Sequence, residues 1–145
     1  MKNKCLPTLL GIGLLIGATV LPGYGQTTGQ RSDIAVDIPF DFVVASITLP
    51  LGQYKLLATS DRVLRVQGAD GKNHALVLTR PLGGRQSDAF GHVLFNCYGD
   101  RCFLSQVWAA EHELGLELMM CPAEKRLAKR PTGPHVALLS AKSRS

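Results

Sequence analysis

Four cysteines in 145 residues are too few to staple a miniprotein, and their spacing does not make a zinc site. The chain has no Gly-x-Ser-x-Gly elbow, and past its first twenty-five residues no glycine loop that could cradle a phosphate. It has no internal repeat and no sustained strand–helix alternation of the kind that builds a parallel sheet. Charged residues make up only 19% and hydrophobic ones 46%, which excludes a wholly disordered, collagenous or multi-span membrane chain. Plentiful instead are fifteen glycines and eight prolines set between Val, Ile and Leu runs. Such a mixture favours short strands and tight turns.

The N-terminus reads as an address. Lys2 and Lys4 precede an apolar stretch from Leu6 to Leu21, and Pro22-Gly23-Tyr24-Gly25 puts small residues where a signal peptidase inspects the chain. The stretch is shorter than the ~20 residues a bilayer requires, and glycines interrupt it. The expectation is a signal peptide over 1–25, cleaved near Gly25-Gln26, and an exported protein, periplasmic or extracellular. Gly11-Ile12-Gly13 with Gly17 has no strand before it and leaves with this segment. The remaining chain holds 14 basic and 11 acidic side chains. Residues 26–124 carry eight of the basic and all of the acidic ones, whereas 125–145 carry six basic and none acidic. Positive charge therefore belongs to the C-terminal end. An exported chain with an acidic body is not expected to bind nucleic acid.

The expected organisation is a flexible lead-in over 26–33, one β domain over 34–140 and a disordered tail over 141–145. Ile34, Val36, Ile38, Phe40, Phe42 and Val44 alternate with other residues over eleven positions, which predicts one half-buried strand. Pro39 lacks a donor and puts that strand at an edge or breaks it. On this reading Asp37 and Asp41 share its solvent face. Leu49-Pro50-Leu51-Gly52 turns the chain into Tyr54–Ala58, and strands are expected over 63–67, 74–79, 91–98, 101–108 and 136–139. Pro81 to Asp88 reads as a polar loop, and Asp70-Gly71-Lys72-Asn73 as a turn. Leu114 to Met120 suits strand or helix, and Gly115 with its period of two favours strand. A short helix is expected over 122–130, with Pro122 in its first turn. Seven or eight short strands and one C-terminal helix predict an all-β fold, an antiparallel sandwich or small barrel.

Ile38-Pro39-Phe40-Asp41-Phe42-Val43-Val44, Thr48-Leu49-Pro50 with Gly52 and Tyr54, Tyr98-Gly99-Asp100-Arg101 with Phe103-Leu104-Ser105 and Val107-Trp108, and Ala123-Glu124 with Leu127 carry a resemblance. Over most of residues 36–139 the chain resembles a group of small, secreted, uncharacterised bacterial proteins. The resemblance implies export and a compact β domain, and brings no activity with it. Cys97 and Cys102 are not among the residues that carry it.

No cluster of chemistry-bearing residues stands out. His74, His92, His112 and His135 lie in separate segments, and Glu111-His112-Glu113 lacks the second His of a helical zinc motif, with Leu116 in its place. No metal, cofactor or catalytic residue is expected. Lys125-Arg126-Leu127-Ala128-Lys129-Arg130 is the sharpest charge run. It reads as a solvated helix face, or as a contact for an anionic envelope surface through Lys125, Arg126, Lys129 and Arg130. Tyr54, Tyr98, Phe103 and Trp108 could line a cavity but suit a core better.

The main expectation is an exported, non-enzymatic module with an interaction or structural role, its partner an anionic surface or another envelope protein. A lipocalin-like carrier of an apolar ligand and a hydrolase with a dispersed site around His112, Glu111 or His92 are the alternatives. A two-residue turn at Gly99-Asp100 would set Cys97 against Cys102 in a non-hydrogen-bonded pair, where a disulfide can close. The same register puts Phe95 opposite Leu104, Val93 opposite Gln106 and Gly91 under the Trp108 ring. Cys121 is left over, buried or free to bridge a dimer.

Overall fold

The computed structural model describes residues 33–60, 62–84, 90–110 and 114–144. Residues 1–25, expected as a signal peptide, most of the expected lead-in, residues 85–88 of the expected polar loop and Glu111-His112-Glu113 lie outside them. Ten strands and one helix are present among the described residues: β1 (Asp33–Ile38), β2 (Phe42–Val44), β3 (Ile47–Leu49), β4 (Gly52–Ser60), β5 (Val63–Gly68), β6 (His74–Gly83), β7 (Gly91–Tyr98), β8 (Arg101–Trp108), β9 (Leu114–Leu118), α1 (Pro122–Ala128) and β10 (His135–Arg144). Eight strands close an antiparallel barrel in the order β8-β7-β10-β1-β4-β5-β6-β9, with β9 returning to β8. The all-β class and the barrel are as expected. Leu114–Leu118 forms a strand, as its period of two favours, and closure removes the sheet edges that an open sandwich would leave.

The long alternation at 34–44 is two strands, not one. β1 lies between β10 and β4, whereas β2 runs parallel to β8 through Phe42↔Cys102 and Val43↔Phe103. The chain leaves the ladder at Pro39, which cannot donate to it. Both segments keep one period because Ile34, Val36 and Ile38 face the same interior as Phe42 and Val44. Asp37 and Asp41 thus share no strand face. Asp41 instead accepts the Leu51 amide at 2.9 Å and ties the β1–β2 connection to the turn before β4.

Three further boundaries differ from expectation. β6 runs on through Pro81 to Gly83 and pairs with β9 there, where a loop was expected. Thr79 donates its amide to Arg62 on the β5 side, and period two sends the donorless Pro81 nitrogen the same way, past the end of β5. No bond to β9 is lost. The α-helix ends at Ala128, two residues early, with Lys129 as its C-cap. Residues 141–144 are not a disordered tail: Ala141 is buried, and Lys142, Ser143 and Arg144 pair with Ala35, Ile34 and Asp33. They close the barrel.

The β7–β8 hairpin keeps the expected register near its turn. Gly99 has φ +67°, the sign its position demands of a glycine, and Cys97 faces Cys102. Between Leu94 and Phe95 the register slips by one, leaving Ser105 extra on β8. Val93 therefore pairs with Val107, not Gln106, and Trp108 with His92, not Gly91. The bulge has a physical reason: an unbroken register would aim Gln106 into the core, and the extra residue aims Val107 there instead.

Candidate functional site

The barrel interior is filled with side chains. Every strand contributes to one apolar cluster, and Phe42, Phe95, Ile38, Leu56, Leu64, Val44, Val66 and Val93 are almost wholly inaccessible. Phe42 enters from β2 and meets Tyr54 on the far wall edge-on at 5.0 Å and Phe95 at 5.6 Å; Phe40 meets Phe95 at 5.2 Å. The Tyr54 hydroxyl leaves this cluster to donate to the Pro50 carbonyl at 2.6 Å. Of the four aromatics considered for a cavity, only Tyr54 faces inward. Tyr98, Phe103 and Trp108 stand on the outer wall. Eight-stranded barrels are narrow enough for side chains alone to fill.

Cys97 and Cys102 form a disulfide on the inner side of the hairpin. Cys121 is free and buried, so it is not placed to bridge a dimer. It joins Val43 and Phe103 in a second cluster, with Tyr98, Ala123 and Leu127 packed against it. This cluster lies outside the barrel wall and under α1. The sequence pattern missed it because Val43 sits between two inward-facing residues of β2, a strand buried on both sides.

Helix α1 thus has two unlike faces. Its underside rests on β2, β7 and β8 through Cys121, Ala123 and Leu127 and carries one acid, Glu124, which is 4% exposed. Asn96 donates to Glu124 Oε1 at 3.1 Å, and its amide also lies 3.3 Å from Ser105 Oγ. Burial pushes the Glu124 carboxyl up from its ordinary range, and the Asn96 bond opposes that shift in part. The Tyr98 phenol, raised by burial and by the neighbouring Glu124 charge, has a buried hydroxyl with no hydrogen-bond partner among the described residues. The outer side presents Lys125, Arg126, Lys129 and Arg130, all exposed. Arg101 adds a fifth cation, its guanidinium 5.5 Å from the centre of the Phe103 ring.

The remaining candidates are not brought together. His74 and His135 are exposed on β6 and β10. His92 is buried and stacks on Trp108 at 5.8 Å, and its cross-strand neighbour on β10 is Ser140. No group of three His, Cys, Asp or Glu side chains among the described residues could hold a metal ion. Asp70 caps its own turn, accepting from the Lys72 and Asn73 amides at 3.1 and 3.4 Å. No helix of the described residues is long and apolar enough to cross a membrane. No protein-family model matches the chain, and comparison with curated proteins and with solved structures finds no match.

Proposed function

We propose that this protein is an exported, non-enzymatic β-barrel module that acts by contact, presenting helix α1 to an anionic surface of the cell envelope. One observation carries the reading: α1 commits its apolar side to the barrel and leaves Lys125, Arg126, Lys129 and Arg130 facing outward. A helix that merely solvated the surface would mix both signs, yet the one acid in it is turned inward. Export is supported by the N-terminal signal pattern and by the Cys97–Cys102 disulfide, which suits an oxidising compartment. The filled interior favours a contact module over a carrier, since a carrier needs volume for its ligand.

The test is retention of the mature protein on a soluble polyanion such as dextran sulfate. Wild type is expected to bind at low ionic strength and to release as salt shortens the screening length. A variant with Lys125, Arg126, Lys129 and Arg130 all changed to Gln is expected to keep its fold and lose retention. Salt-independent binding, or equal binding of the two proteins, would defeat the reading. Export is checked separately: the mature N-terminus recovered outside the cytoplasm should be Gln26.

A further inference from the structure

Exposed apolar side chains beside α1 indicate which kind of anionic surface it meets. Met119 and Met120 lead from β9 into the helix and are 65% and 41% exposed. β9 holds one edge of β8 along Gln106–Trp108 and hands the chain to α1, which packs on the outer face of β2 and β8. Two large exposed apolar side chains thus sit together where the basic helix begins.

Single exposed apolar residues are ordinary, but a group of them bordered by cations of one sign marks an interface. A polysaccharide or polyphosphate would satisfy the cations and offer nothing to methionine. A bilayer of acidic lipids offers both phosphates and, just beneath them, the headgroup and acyl boundary in which apolar side chains are buried. The geometry points to docking of this end of the barrel on an anionic lipid bilayer. Met119 and Met120 enter the headgroup boundary there, and Lys125, Arg126, Lys129 and Arg130 hold lipid phosphates. This rests on the reading of α1 as an anionic-surface contact and names its partner. Each cation close to the surface raises affinity roughly fivefold, so the basic face directs the approach and the apolar group fixes depth.

Co-flotation of the mature protein with vesicles tests it. One set contains phosphatidylglycerol and phosphatidylcholine, a second phosphatidylcholine alone, and dextran sulfate binding is measured in parallel. Wild type is expected to float with the acidic vesicles only. The M119S/M120S variant should lose roughly tenfold or more in vesicle affinity and keep its dextran sulfate binding. Thermal unfolding checks its fold, and M119S alone stands in if the double variant unfolds. Vesicle binding unchanged in these variants would overturn the bilayer assignment, as would dextran sulfate binding without vesicle binding. In both cases the anionic contact itself survives. Binding to neither probe would remove the anionic contact as well.

Discussion

The Trp108 indole lies flat over Gly115, so close that a Cβ on the glycine would meet ring atoms Cδ2 and Cε2 at 2.6 Å. The two residues are cross-strand partners on β8 and β9, at the seam where the barrel closes on itself. His92 stacks on the ring from the neighbouring strand at 5.8 Å, and the indole nitrogen donates to Gln106 at 3.1 Å, so the ring has little freedom to retreat. Gly115→Ala should therefore destabilise the protein by about 1–3 kcal/mol, as overpacking does. Urea unfolding measures it. A variant as stable as wild type would mean that the indole yields.

The β2–β3 turn holds the opposite opportunity. Ala45 and Ser46 have φ of 48° and 80°, the left-handed values of a two-residue hairpin turn, without glycine or asparagine at either position. Each such residue costs about 1–2 kcal/mol against its preferred conformation. Replacing the pair by Asn-Gly should raise stability by about 1–2 kcal/mol and move the thermal midpoint upward. Lack of any gain would show that the turn relaxes in solution.

How far the fold was legible depends on what each residue had to know. The β7–β8 turn was legible because Gly99-Asp100 is a local signal and both flanking strands alternate. The bulge at Ser105 was not, because it depends on Gln106 and Val107 competing for an interior that other strands create. The change of partner between β1 and β2 was equally hidden: both bury alternate residues in one core, so the period runs on across Pro39. β6 was cut short because Pro81 signals a break unless one knows that its nitrogen faces an empty edge. At the candidate site the cations of 125–130 were plain in the sequence. The cluster beneath them was not, because Val43, Phe103 and Cys121 come from three distant segments.

The C-terminal residues, expected as a disordered tail, are part of the wall instead. Residues 140–145 carry no large apolar side chain, and their removal looks harmless on composition alone. In the barrel, Ala141 is 2% exposed and the backbone of 142–144 forms the ladder between β10 and β1. A chain ending at Ser140 leaves β1 paired only with β4 along Asp33–Ala35, frees its other edge and opens the wall. It should lose more than about 2 kcal/mol and aggregate from its new edge. Light scattering together with thermal unfolding reads both effects, and a soluble truncation of full stability would refute this closure.

Glu124 should make stability depend on pH in an unusual direction. Its carboxyl is buried against Asn96 without a cation paired to it among the described residues, and burial raises its pKa above the ordinary 4.5. A raised acid binds its proton more firmly in the folded state. Its favourable contribution is therefore present below the ordinary value and fades as pH rises from about 4.5 through the folded-state value. Glu124→Gln keeps the shape and the acceptor for Asn96 but removes the charge. The difference in unfolding free energy, variant minus wild type, should grow across that window and level off above it. Near neutral pH the variant should be the more stable, by on the order of 1 kcal/mol. Chemical denaturation of both proteins from pH 4 to 8 gives the difference directly, since other titrating groups cancel. A constant difference, or one that shrinks with rising pH, would mean that the carboxyl beneath α1 is solvated in the folded protein.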